Sequence, residues 1–399
     1  MASIDNPSNP GIEVTFLMPC LNESETIERC IAAAHRCARE HEFTSEVLVA
    51  DNGSIDGSQD LARRAGARVI DVPIRGVGAA VTAGVRDARG RFIILGDSDL
   101  QHDFAACFSF VQKLREGRWD LVMGSRFKGK IMPGAMRPLN RYLGNPVLSA
   151  VGRLLFAAPV SDFHCGLRAF TRESFLTLNL RTIGFEFTTE HIVKSSLRHL
   201  RITEVPITVH PEGRSRPPHL RRFSDGWRTL RFMLLLSPRW TLAIPGIILM
   251  LAGTLLAALV LPGTFWIGSI GLDIHTLILA CMMILAGFTA LSIGAAARLY
   301  AMQIEIGPPG PVAGRMLSLF TLERGVLVGA ALLLIGLVLI ARLGLRALDS
   351  GLKPADALTT LRPMIVGATL VALGVQTVLM SFFYSMLSVR AAPPSDRAG

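Results

Sequence analysis

Residues 93–101 read Ile93-Ile94-Leu95-Gly96-Asp97-Ser98-Asp99-Leu100-Gln101: an apolar strand that runs into two carboxylates one residue apart and then an amide. On an extended backbone Asp97 and Asp99 share a side, so both can face one ion or one ligand. Two carboxylates and an amide oxygen are hard donors, suited to Mg²⁺ or Mn²⁺ and unsuited to zinc. A D-x-D triplet by itself is more often a solvated strand exit. The segments around it decide between the two readings.

On either side, apolar strand patterns alternate with helical ones. Strands are expected at 13–18, 46–50, 68–71, 92–95 and 120–124, and helices at 25–41, 58–65, 76–89 and 104–116. In the first helix Ile27, Ile31, Ala34 and Ala38 fall on one face. This order predicts an α/β domain with a mostly parallel sheet, whose ligands bind beyond the carboxyl ends of the strands. The polar motifs lie at those ends. The first strand leads into Pro19-Cys20-Leu21-Asn22-Glu23, and the second into Asp51-Asn52-Gly53-Ser54. Asp51 can accept from a ribose hydroxyl or a base edge, Gly53 permits the turn, and Ser54 is expected to cap the next helix.

The chain of 399 residues is half hydrophobic and 18% charged, but its halves differ. Nearly all the charge lies before residue 240. Four apolar runs follow, at 242–261, 274–297, 325–341 and 363–387, each near the ~20 residues a bilayer requires and the third the shortest. The expected organisation is a polar tail at 1–11, a catalytic domain at 12–223, a juxtamembrane amphipathic helix at 224–240, a transmembrane domain at 241–390 and a polar tail at 391–399. A further helix at 137–158 has an apolar stripe bordered by Arg137, Arg141 and Arg153, the pattern of a core helix or an interfacial one. The start has no basic segment followed by an apolar one, so no signal peptide is expected. The six cysteines lack metal-binding spacing and are expected to be reduced and buried.

The net charge of +10 concentrates between Arg198 and Arg239, where nine arginines face only Glu204, Glu212 and Asp225. Lying just before the first span, this block predicts contact with anionic lipid headgroups and not with nucleic acid.

The segments PCLNE, ADNGSIDGS, Arg75-Gly76-Val77-Gly78, DSDLQH and Gly124-Ser125-Arg126, followed by Asp162-Phe163-His164-Cys165-Gly166-Leu167-Arg168, together resemble the inverting family 2 glycosyltransferases of GT-A fold. Within them the chain is similar to the dolichol-phosphate mannose synthase and polyprenyl-phosphate glucosyltransferase branch, over residues 12 to about 240. The resemblance implies transfer of one hexose, glucose or mannose, from UDP-glucose or GDP-mannose to a polyprenyl phosphate. Pro19, Leu21, Asn22, Glu23, Asp51, Ser54 and Arg75 would hold the nucleoside side of the donor, with Asp97 and Ser98 lining it. Asp97, Asp99 and Gln101 would bind Mg²⁺ or Mn²⁺. Arg126 would face phosphates at the reacting centre. Arg141, and less directly Arg137, would receive the lipid phosphate. Asp162 and Arg168 complete the acceptor side, with Asp162 either a base or a group that orients Arg168 or the acceptor, unless the two form a buried ion pair; Glu186 either lines the acceptor side or only caps a helix. Arg216 takes the place of a diphosphate-binding lysine, and His210 stands where the family has an arginine, with Arg214 nearby to compensate.

Two alternatives stay open at this stage. A processive polysaccharide synthase would carry Q-x-x-R-W, but here Leu236 precedes Ser237-Pro238-Arg239-Trp240. A lipid-sugar transporter with an inactive domain would be expected to carry ionisable groups inside its spans, which hold almost none; Asp273 and His275 lie at an edge. Loop charges do not fix the orientation; the expected cytoplasmic donor puts the catalytic domain in the cytoplasm. Self-association through the spans is compatible with the sequence.

Overall fold

The computed structural model describes residues 11–215, 222–303, 321–349 and 357–388. The chain divides into two compact units, Met1–Met233 and Leu234–Gly399.

The first unit is built on a seven-stranded sheet. Its strands are β1 (Val14–Cys20), β2 (Ser45–Asp51), β3 (Arg68–Asp71), β4 (Phe92–Leu95), β5 (Leu121–Ile131), β6 (Arg168–Thr171) and β7 (Ile202–Val209), in the order β3-β2-β1-β4-β6-β5-β7. All pairings are parallel except those of β6, which runs against both β4 and β5. This is the mostly parallel GT-A sheet the sequence predicts. β1 lies between β2 and β4, so the chain order reverses there. Pro19, Asp51 and Asp97 end up side by side at the carboxyl edge, where a parallel sheet offers its crevice.

The helices cover the sheet for simple reasons of pattern. α1 (Ile27–Glu40) buries Ile27, Cys30, Ile31, Ala34, Cys37 and Ala38, the face the periodicity indicates. α2 (Ser58–Arg64) follows β2. α3 (Val77–Asp87) lies directly on β1 because Gly84 has no side chain; a Cβ there would stand 2.4 Å from Leu17. At the start of α3, a Cβ on Gly78 would stand 2.2 Å from the Thr182 carbonyl, so the 179–184 loop can close over that end.

The structure departs from the sequence reading in several places. The helix expected at 104–116 breaks into a short turn, Phe104–Ala106, and α4 (Phe108–Arg115), with Asp103 accepting from the Ala105 amide. The strand expected at 120–124 continues to Ile131 and loses register with β7 between Ser125 and Lys130. The helix expected at 137–158 is a wide turn, Asn140–Gly144, running into α5 (Asn145–Phe156). Strands β6 and β7 and helices α6 (Arg172–Thr177) and α7 (Phe187–Leu197) had no clear period. β6 has only four residues and opens on a buried arginine, and β7 carries Pro206, which an edge strand tolerates. α8 spans Arg222–Leu235, so Ser224 lies inside it and is not its cap. All six cysteines are free and buried.

In the second unit, α9 (Ile244–Val260) and α10 (Ile274–Gln303) are joined by a hairpin of β8 (Phe265–Ile267) and β9 (Ile270–Leu272); α11 (Leu322–Asp349) and α12 (Ala357–Ser388) follow. Among the described residues, four helices are long and apolar enough to cross a membrane. The third is not short: its apolar core is flanked by helical turns that carry Glu323 and Arg346. Glycines set the packing. A Cβ on Gly287 would stand 2.6 Å from the Gly246 carbonyl, one on Gly374 2.7 Å from that of Gly329, and one on Gly336 2.6 Å from that of Gly367. Small residues at such crossings are how helices associate where lipid is as apolar as the side chains.

Inside the first unit, α7 carries a fully buried ion pair, Lys194 Nζ to Glu190 Oε1 at 2.8 Å. Glu190 also accepts from the amides of Arg181 and Thr182 and from the Thr182 hydroxyl, which fixes the loop that closes over α3. Lys194→Met should leave that carboxylate buried without its cation and destabilise the protein by about 3 kcal/mol, read as a lower unfolding midpoint.

Candidate active site

The carboxyl edge of the sheet opens on a cavity of about 760 Å³. Pro19 from β1, Asp97 and Gln101 from the β4 exit, Arg126 from β5, His164, Gly166 and Arg168 from the next crossing, and Met136, Arg137, Asn140 and Leu148 from the 136–148 segment all line it.

The D-x-D loop is held from beneath. The Ser98 hydroxyl donates to the Pro19 carbonyl at 2.6 Å, and the Thr26 hydroxyl donates to the Ser98 carbonyl at 2.6 Å. Ser98 is therefore a brace between β1 and β4, its side chain buried and already committed. Asp97 and Asp99 differ in consequence. For Asp97 burial opposes the charge. The His102 ring, 3.5 Å from Oδ2, with the guanidinium groups of Arg168 and Arg214, outweighs it and holds the carboxyl below its ordinary range. For Asp99 burial and the neighbouring Asp97 charge win, and its pKa is raised despite the Gln101 amide on Oδ1.

The D-x-x-x-G-x-R signature has a geometric cause. A Cβ on Gly166 would stand 2.6 Å from Asp97 Oδ2 and 3.0 Å from His102 Nε2, so only glycine lets this turn meet the D-x-D loop. Asp162 does not pair with Arg168. It receives Arg126 in a fork, Nε at 2.6 Å and Nη2 at 2.7 Å, and also accepts the Arg126 amide at 3.0 Å. The break of register in β5 begins at this point, which frees Arg126 from the ladder to reach the cavity. Burial disfavours the Arg126 charge, but Asp162 more than offsets it. Arg168 is fully buried. It donates to the carbonyls of Cys165 and Thr188, and burial pushes its pKa down to about 10, still charged at neutral pH. His164 is held neutral, its pKa lowered to about 4 by burial and by Arg126.

On the nucleoside side, Asp51 Oδ2 accepts from the Gly53 and Ser54 amides and from Gln59, while its buried Oδ1 has no partner among the described residues. An orphaned carboxylate oxygen at a strand end suits a hydroxyl or base donor. Ser54 does not cap α2, whose N-cap is Gly57; its hydroxyl accepts the Asn22 amide. Asn22 in turn takes the Ile55 amide at a φ of 58°, joining the turns after β1 and β2. Asn52, which sequence reasoning did not single out, accepts the Gly76 amide and donates to the carbonyls of Val72 and Ile74. Arg75 lies beside Gly53.

The remaining expected residues are dispersed. Arg137 lines the cavity, whereas Arg141 stacks on Tyr142, 5.4 Å from its ring, and lies outside the lining. Glu186 is tied to Arg228 at 2.8 Å. His210 meets the loop through its backbone, donating to the Gln101 carbonyl, and borders a separate groove. Arg216 lies outside the described residues. Leu21 is half-buried beside Asn22.

The donor set fits a hard divalent cation. Among the described residues no cluster of three or more His, Cys, Asp or Glu side chains could hold a metal. Asp97 and Gln101 line the cavity, and the buried Asp99 lies between them in sequence, its pKa raised by burial and then by the Asp97 charge; two carboxylates and an amide oxygen match the way Mg²⁺ or Mn²⁺ is held, with substrate oxygens and water completing the shell.

Residues 15–178 match the family Glycosyl transferase family 2, and residues 295–388 match the Glycosyltransferase family 2 C-terminal transmembrane region. The chain is 34% identical over 387 residues to the low-salt glycan biosynthesis hexosyltransferase Agl6 of Haloferax volcanii, covering 97% of this chain and 91% of that protein. It is 36% identical over 214 residues to the glycosyltransferase AglJ of the same organism, covering 53% and 68%. A crystal structure of glucosyl-3-phosphoglycerate synthase from Mycobacterium tuberculosis superposes with a TM-score of 0.45 at 23% identity, over 56% of this chain and 79% of that one. The chain belongs to glycosyltransferase family 2, and it is a membrane glycosyltransferase.

The raised pKa of Asp99 gives a signed prediction. A carboxyl whose folded pKa is raised contributes stability below its unfolded pKa and loses it as pH rises through the folded value, so the ionised form of Asp99 is a cost to the fold. Asp99→Asn should therefore raise the melting temperature of the metal-free protein while abolishing transfer. Wild-type transfer should fall as pH drops through the raised pKa, because the protonated acid cannot ligate a cation.

Proposed function

We propose that this protein moves a single hexose from a nucleoside diphosphate sugar to a polyprenyl phosphate, with inversion, using Mg²⁺ or Mn²⁺. The observation that carries the acceptor assignment is the wall of the cavity. The 136–148 segment turns Arg137 toward the cavity and leaves large apolar side chains on its outside: Leu139 is 57% exposed, Tyr142 72% and Leu143 57%. In α5, Leu154 is 61% exposed. A basic cavity bordered by exposed apolar surface suits an amphiphile with an anionic head, and such a surface is stable in the interfacial region of a bilayer. The hexosyltransferase Agl6 supports a hexose as the transferred group.

Each role follows from the chemistry of the residues present. Asp51, Asn22 and Ser54 shape the nucleoside end. Asp97 and Asp99, with Gln101 beside them, would hold the cation, which when bound neutralises the growing charge of the leaving diphosphate. Arg126, fixed by Asp162, presents a permanently charged guanidinium to phosphate oxygens in the cavity. Asp162 has both carboxylate oxygens engaged by Arg126, which favours a positioning role over that of a base. A lipid phosphate is already ionised at neutral pH and needs no base. Arg168 serves the acceptor side through the backbone it fixes.

The test is transfer from radiolabelled UDP-glucose and GDP-mannose, separately, to a short-chain polyprenyl phosphate, by the full chain in detergent. Lipid-extractable label from one donor, removed by EDTA and reduced about 100-fold or more in Arg126→Ala, is the expected result. Label that enters only water-soluble or polymeric product would overturn the acceptor assignment.

A further inference from the structure

Arg214 gathers a group of carboxylates that the roles above leave unexplained. Its Nη1 lies 2.8 Å from Glu23 Oε1, and its Nη2 lies 2.8 Å from Glu212 Oε2 and 3.5 Å from Asp99 Oδ2. Nε donates to Glu212 at 2.8 Å. The guanidinium side chain is only 11% exposed, and those of Glu23 and Asp99 9%. Three carboxylates thus converge on one cation, in a place too dry for water to screen them well. Of the five guanidinium N–H donors, three go to Glu23 and Glu212 and a fourth faces Asp99, so the fork is not open to a diphosphate while these contacts stand.

We propose that Arg214 is a placeholder cation: it neutralises Glu23, Asp99 and Glu212 in the empty protein and passes its fork to the donor diphosphate once a divalent cation compensates Asp99. This rests on the metal-dependent, nucleotide-sugar reading above. It predicts two effects of opposite sign when the charge is removed. The carboxylates, left unneutralised, hold a divalent cation more tightly, while the nucleoside diphosphate loses a phosphate partner. An arginine that served only to hold the loop would weaken both together.

The experiment measures Mn²⁺ binding to the purified full chain by electron paramagnetic resonance of free Mn²⁺, without donor, and then UDP and GDP binding at saturating Mn²⁺. In Arg214→Gln, Mn²⁺ should bind about tenfold more tightly, and the preferred nucleotide about tenfold more weakly. Arg214→Lys keeps the charge and loses the fork, so its Mn²⁺ affinity should stay within about twofold of wild type with weaker nucleotide binding. If Arg214→Gln does not fold, Arg214→Lys carries the test, and a large change in its Mn²⁺ affinity overturns the proposal. Wild-type Mn²⁺ binding that Arg214→Gln leaves unchanged or weakens overturns the placeholder role alone. No Mn²⁺ binding by wild type overturns that role and the metal reading together.

Discussion

Two ionised carboxylates one residue apart, at the end of a buried strand, are the constraint on which the catalytic unit depends. Asp97 is open to the cavity while Asp99 is buried, and burial first and the Asp97 charge second raise the pKa of Asp99. Their surroundings are built to hold them anyway. Ser98 and Thr26 brace the loop from below, Gly166 yields the space a side chain would fill, and Arg168 lends a positive charge from within the core. A site that stores like charge in this way is poised for a cation, and the stability it forgoes is recovered when one binds.

The legible part of this fold was the part with a period. β3 and β4 stand at the residues expected, and α1 buries the face its apolar spacing indicates. What escaped was set by tertiary contact. β6 is four residues of Arg-Ala-Phe-Thr that become a strand only between β4 and β5. The strand β5 runs past its apolar core because β7 pairs with its far end. In the site, the D-x-D loop and Asp51 could be read from strand ends. The partner of Asp162 could not, because Arg126 lies 36 residues away and reaches it only where β5 leaves register. Ser54 and Ser98 show a related limit: a small polar residue in a motif can brace one turn against another instead of facing the ligand.

The second unit obeys a different economy. Its helices meet through glycines at backbone contact distance, and side-chain polar contacts join them at a few further points. Gln376 donates to Thr289, Tyr384 donates to the Ser292 carbonyl, and Asp273 pairs with Arg362 near the helix ends. Most of the helix surface that faces outward is Leu, Ile, Val and Met. A substrate pathway through a membrane needs polar groups that can trade partners with the substrate. Close glycine packing brings the helix backbones together and gives the unit rigidity.

With the lipid-phosphate acceptor proposed above, the catalytic unit would need no free base. A sugar hydroxyl must lose a proton as it attacks, which calls for a carboxylate or imidazole with an available lone pair beside it. Here the carboxylate of Asp162 is spent on Arg126, and Glu190 is spent on Lys194 and the 181–182 amides. His164 is neutral but has its ring nitrogens buried, and His102 faces Asp97. Beside Asp97 and Glu212, the cavity offers fixed positive charge: Arg126 held in a fork, Arg137 at the wall and Arg168 behind them. Charge of that kind does nothing to deprotonate an alcohol, but it aligns an acceptor that arrives already ionised. On the acceptor proposed above, the exposed leucines and tyrosine of the 139–154 segment would give a lipid chain a surface to lie on while its phosphate enters the cavity.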